Sequence, residues 1–299
     1  KAQKEAETFN VDSTLYEYYQ RCQEYLLEPV VLNMSDTLFR MAGERQDERM
    51  QAVAIATQLD YYYFQGTNED SVIHYTNKVK EFAKATHQPK YYYFAWANRL
   101  ITYYLKTSRT NIALYEVQNM LKEAQEEDDK TGLSRCYNIM SQIYTIKRFD
   151  SMAFEWRLKE IELTEKYKIE NYNISQTYAQ IANYYINQKK QKEALAAVEK
   201  AIATANSSTQ QISAKLEFVN YYSKFGDFQA AEKLLKECQA AFEQDKRLES
   251  IKKRLYNIEC LYYQQTKQYQ KALEAAKMQE KEERRLSESI LSSSHYRTQ

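Results

Sequence analysis

The apolar positions of this chain fall into a pattern that repeats. A tyrosine, usually one of a doublet, is followed nine residues later by a small side chain. The pairs are Tyr63 and Val72, Tyr104 and Ala113, Tyr144 and Ala153, Tyr185 and Ala194, Tyr222 and Ala231, and Tyr263 and Ala272. The small positions stand 37 to 41 residues apart. Self-similarity at such a period marks an array of stacked supersecondary units. Within each repeat the pattern predicts two antiparallel helices joined by a short turn, because helices approach closely only where one side chain is small. The tyrosine of the first helix fills the space beside that contact.

Composition sharpens this picture. The 299 residues contain only four Gly and two Pro, far too few for the turns of a β-rich or α/β chain. Ala, Leu, Glu, Lys and Gln dominate, so helix is the default for nearly every segment. Gly226 marks one turn between the helices of a pair, within Lys224–Asp227, and Gly66 marks an equivalent one. Gly43 and Gly132 are expected between pairs, and Pro29 and Pro89 in the first turn of a following helix. The reading is an all-α, right-handed superhelical solenoid of about seven antiparallel helix pairs, forming one domain over 1–299. The first pair, 13–43, is degenerate, with Asp12 or Ser13 as its cap. The repeats proper run over 50–279, and 280–299 is a charged, then Ser-rich, helical tail.

The stretch from Tyr178 to Ala201 resembles a tetratricopeptide repeat (TPR). Tyr178, Ile181, Ala182, Tyr185, Ala194, Val198 and Ala201 stand where that motif places its large, small and aromatic residues. Phe218, Val219, Tyr222, Gly226, Phe228, Ala231 and Leu235 match in the next repeat, and Tyr256, Cys260, Tyr263, Tyr269, Ala272 and Ala276 in the last. The repeats are longer than the usual 34 or so residues and lack the closing Pro of the motif. The resemblance implies that the first helix of each pair lines a concave inner face.

Repeat length, tyrosine richness and the run from Leu286 to Ser294 further resemble the extracytoplasmic sensor regions of bacterial two-component or hybrid histidine kinases. That resemblance implies a non-catalytic ligand- or protein-binding sensor region of a membrane signalling protein. It would be periplasmic and tethered to the inner membrane, with signal transduction relayed through the last helix to a module beyond Gln299. The alternative is a cytoplasmic TPR adaptor or peptide-responsive regulator. The chain opens at Lys1 without Met and closes inside an expected helix, so further segments are expected beyond both ends.

Charge and chemistry narrow the partners. The formal net charge is +1, which gives nucleic-acid binding no support. No apolar run is long enough to span a bilayer, so membrane contact would come only through segments outside this chain. Cys22, Cys136, Cys238 and Cys260 form no CxxC, and His74, His87 and His295 stand far apart, so neither a metal site nor a cofactor is expected. Cys238 and Cys260 fall at inward-facing positions of adjacent helices, and a disulfide between them would favour an oxidising compartment. There is no HExxH, no glycine loop for phosphate and no nucleophile elbow, so the chain reads as a binding protein rather than an enzyme. The carboxylate run Glu126–Asp129 is a solvated cluster at a helix end.

The candidate binding residues lie on the expected inner face, one turn apart on the first helices. They are Asn98, Arg99 and Thr102; Asn138 and Gln142; Asn183 and Asn187; Asn220; and Asn257. Arg135 and Arg254 border them. An amide both donates and accepts, so such a ladder suits a protein or peptide backbone, and it also suits a small molecule or the hydroxyls of a glycan. The run Tyr91–Phe94 with Trp96 is a second candidate. Adjacent aromatics on one helix cannot all face a core, so some are expected to be exposed or to meet another chain, a homodimer among the options.

Overall fold

The computed structural model describes the backbone from Ala2 to His295 and the side chains from Lys4 to Leu286. No strand occurs among the described residues. The helices are α1 (Ala2–Thr8), α2 (Ser13–Glu24), α3 (Val30–Glu44), α4 (Glu48–Gln65) and α5 (Glu69–Ala85). Next comes α6, in which Pro89–Tyr93, a π-helical stretch Phe94–Ile101 and Thr102–Lys106 run on without a break. Then follow α7 (Thr110–Glu126), α8 (Lys130–Ile146), α9 (Asp150–Tyr167), α10 (Ile174–Asn187) and α11 (Gln191–Ala203). The chain finishes with α12 (Ser208–Phe225), α13 (Phe228–Gln244), a 3-10 turn over Lys246–Ile251, α14 (Lys252–Gln265) and α15 (Tyr269–His295). Consecutive helices from α2 onward pack as pairs, giving the TPR-like array that the repeat predicts. They group into two compact units, one built on Lys1–Ile139 and the other on Met140–Ser289.

The small positions do what the pattern requires. Val72, Ala113, Ala153, Ala194 and Ala231 are completely buried, and Ala272 nearly so. Each lies at the start of a second helix, where its low volume admits the first helix of the pair. In the TPR-like stretch Ile181, Ala182, Ala194 and Val198 share one core with Tyr221, and Tyr185 packs on its edge. In the first unit Leu15, Leu38, Ala42, Met50 and Ala54 form the corresponding core. Asp12 caps α2, its carboxylate accepting from the backbone N–H of Thr14 at 3.0 Å and of Leu15 at 3.1 Å. Pro89 opens α6 at its first position, as expected.

The glycines behave differently from expectation. Gly66 and Gly226 do close turns in the left-handed conformation, at φ 68° and 87°. Gly43 and Gly132 do not separate pairs: the first lies within α3 and the second within α8. Other turns between helices reach the left-handed region with ordinary residues, among them Gln46, His87, Ser108, Asp128, Arg148, Lys189 and Lys267. Each interrupts its helix for only three or four residues, and the helix pair packed on either side holds the strained backbone in place.

All four cysteines are free thiols, so Cys238 and Cys260 form no disulfide. Cys22, Cys136 and Cys238 are buried, and burial pushes their thiols up, to about 11 for Cys22 and about 12 for the other two. Cys260 is half-buried. Iodoacetamide near pH ~8 is therefore expected to alkylate Cys260 in the folded chain and to leave the other three until denaturant is added. Peptide mapping before and after unfolding checks this order. Early labelling of Cys136 would contradict the packing of α8.

Candidate binding surface

In the first unit the expected ladder is used internally. Arg99, in the π-helical stretch of α6, donates from Nε to Asp60 Oδ1 on α4. Its guanidinium also lies 4.8 Å from the ring centroid of Tyr63 and 4.6 Å from that of Phe94. Burial raises the Asp60 carboxyl pKa, and the hydrogen bond and charge of Arg99 pull against that rise. Asn98 accepts at Oδ1 from the Arg135 guanidinium on α8. Thr102 donates to the carbonyl of Ala97, five residues back, at 2.8 Å, which satisfies its hydroxyl inside the π turn. Asn138 is half-buried on α8, one turn beyond Arg135.

The aromatic run corrects a second expectation, because none of its rings is exposed. Tyr92, Tyr93 and Trp96 are buried, and Tyr91 and Phe94 are half-buried. Two causes combine. The π-helical spacing of Phe94–Ile101 redistributes successive side chains around the axis. Neighbouring helices also cover α6 on more than one side, with polar partners for Tyr92, Tyr93 and Trp96. Trp96 Nε1 donates to Glu116 Oε2 at 2.8 Å, and Tyr93 donates to Glu127 Oε2 at 3.2 Å. Tyr92 donates to Glu123. Lys80, on α5, places Nζ 3.6 Å from the Trp96 ring centroid. Burial lowers the Lys80 pKa, while Glu123 and Glu116 hold its charge. Nothing in the sequence pattern singled out Lys80, because its partners come from two other helices.

In the second unit the ladder divides. Gln142 and Asn187 are exposed, and Asn183 is half-buried. Asn187 Nδ2 donates to Asn183 Oδ1 at 2.9 Å across one turn of α10, and Asn183 Nδ2 and Asn187 Oδ1 have no partner among the described residues. Asn220 and Asn257 are spent otherwise. Asn220 Nδ2 donates to Glu217 Oε1 at 3.0 Å, and Arg254 donates both to Glu217 Oε2 and to Asn257 Oδ1. This network ties α12 to α14. Glu217, which the repeat pattern does not single out, is the buried centre of the group. A second buried carboxylate, Glu160 on α9, accepts from Thr177 at 3.0 Å and from Asn171 at 3.0 Å.

A half-open cavity of about 380 Å³ lies within the first unit, between α3 and α5 and floored by α4. Phe39 and Phe82 meet edge to face in its wall, 5.7 Å between ring centroids. Ala54, Ile55 and Gln58 line its floor, and Asp36, Lys78 and Glu81 its rim. Among the described residues no cluster of His, Cys, Asp and Glu is arranged to hold a metal ion. No described helix is long and apolar enough to cross a membrane.

No family model and no curated protein matches this sequence. Solved structures do match its fold. The apo form of RapI superposes with a TM-score of 0.59 at 13% identity, covering 92% of this chain and 99% of that one. A Rap protein complexed with competence and sporulation factor gives 0.59 at 11% identity, over 92% of this chain and 76% of that one. A signal transduction ATPase with numerous domains and a tetratricopeptide repeat sensor, from Pyrococcus horikoshii, gives 0.56 at 16% identity, over 93% of this chain and 43% of that one. At these identities the likeness establishes a TPR-like helical-repeat fold.

Proposed function

We propose that this chain is a non-catalytic helical-repeat module that binds another protein or a peptide, acting as an adaptor or peptide-responsive regulator. The observation that carries this reading is the match in fold, over most of both chains, to a Rap protein solved in complex with competence and sporulation factor. A cytoplasmic site of action fits it. The buried and half-buried acids and bases of the two units support it too. Asp60, Glu217, Arg157 and Glu160 are each engaged by side chains of this chain, as structural groups are.

A second reading is the sensor region of a membrane signalling protein. The likeness to a protein that carries a tetratricopeptide repeat sensor supports it, as does α15, which continues as a single helix through His295. The DNA flanking this stretch separates the two readings. A signal sequence upstream with a membrane span and kinase downstream favours the sensor, and their absence favours the adaptor.

Panning the purified chain against phage-displayed random peptides tests the binding role itself. Peptides of about micromolar affinity, whose binding is lost when the chain is unfolded, are the expected result. A library that yields nothing above an unrelated helical protein would defeat the proposal.

A further inference from the structure

We infer that the cavity between α3, α4 and α5 is a peptide-anchor site. It would take one aromatic or branched apolar side chain from a segment that carries Lys or Arg beside it. The inference rests on the binding role proposed above and gives it a place and a chemistry. The size is suitable, since about 380 Å³ lies in the range of pockets that enclose small ligands. The interior is apolar, with Ala54, Ile55 and the edge-to-face pair Phe39 and Phe82 around it. An apolar side chain that fills it trades water contact for ring and methyl contact.

One polar group points to a peptide rather than to a hydrocarbon. Gln58 is 5% exposed and lines the cavity. Its Nε2 donates both of its hydrogens, to the Leu32 carbonyl at 3.3 Å and to Asp36 Oδ1 at 2.8 Å. Both partners are pure acceptors, so the orientation of the amide is fixed by chemistry. Its Oε1 accepts nothing from the described residues and is left for a donor. Every peptide bond except one before proline supplies one such N–H.

The rim sets the charge of the partner. Asp36 and Glu81 are exposed carboxylates, and Lys78 Nζ lies 5.7 Å from the ring centroid of Tyr75, on its own helix. The mouth is therefore net negative by one charge, and a basic residue flanking the anchor meets it favourably.

The test uses the intact chain and phage-displayed random peptides as the probe. Enriched sequences are expected to pair an aromatic or branched apolar residue with Lys or Arg. Ile55→Trp, which fills the floor, is expected to weaken their binding by about tenfold or more. Glu81→Lys sits on an exposed position without packing and is expected to weaken the basic peptides by about threefold to fivefold. Enriched peptides that ignore both substitutions would overturn the site while leaving the binding role standing. If Ile55→Trp fails to fold, the Glu81→Lys result decides alone. A library that retains no peptide defeats both the site and the broader reading.

Discussion

Arg254→Ala is expected to destabilise the chain by ~3 kcal/mol, because it strands a buried carboxylate. The Glu217 side chain is only 4% exposed, whereas Arg254 is 29% exposed. Breaking a buried pair typically costs ~3–5 kcal/mol, and the partly wet guanidinium places this pair at the low end. Asn220 continues to donate to Glu217 Oε1, but a neutral amide compensates a buried charge only in part. The same substitution frees Asn257, whose amide sits at half-buried depth. Urea unfolding followed by circular dichroism measures the effect as a lower midpoint at unchanged slope. The double replacement Glu217→Leu with Arg254→Leu removes both charges and is expected to recover most of the loss, since the cost lies in the unpaired ion rather than in a lost attraction. A single Arg254→Ala that costs less than ~1 kcal/mol would mean that Glu217 finds solvent or another partner in the folded chain.

That network also marks where the sequence was legible and where it was not. The repeat was readable because a close helix contact leaves a single tolerated volume, and Val72, Ala113, Ala153, Ala194 and Ala231 hold that place at full burial. The turns were less readable. Glycine is one solution to a left-handed backbone, but Gln46, His87, Lys189 and others adopt it here, so counting glycines misplaced Gly43 and Gly132. The amide ladder reads from sequence as polar, without its partners. Three of its contacts join first helices of successive repeats: Arg99 with Asp60, Arg135 with Asn98, and Arg254 with Glu217, at separations of 39, 37 and 37 residues. A charge or amide recurring at one repeat length is the signal that would have exposed them. The single-helix view, in which polar residues opposite the core face solvent, hides it. The cavity carries still less signal, because Phe39 and Phe82 read as ordinary core residues and its walls come from three separate helices, α3, α4 and α5.

Gly132→Ala is the other change expected to be large, and two effects oppose each other in it. Gly132 lies in the first turn of α8, where alanine is the better helix former by up to ~1 kcal/mol. Propensity alone therefore predicts a gain. The added methyl, however, would stand 2.8 Å from Cε2 and Cζ and 2.9 Å from Cε1 of Tyr93. That ring has no room to retreat. Tyr93 is completely buried, donates to Glu127, and is held edge to face with Tyr92 at 5.1 Å. Relieving the clash means moving α8 away from α6, which disturbs Asn98 and Arg135 at the same contact. Overpacking of this kind costs ~1–3 kcal/mol, and three ring carbons against an immobile side chain place it near the top of that range. The net expectation is a loss of ~2 kcal/mol, read as a lower melting temperature and urea midpoint. Pairing Gly132→Ala with Tyr93→Leu separates the causes. Leucine removes the ring carbons, so the alanine should then cost nothing or stabilise, whereas an equal penalty in both backgrounds would show that the glycine is needed for its backbone rather than for its missing Cβ.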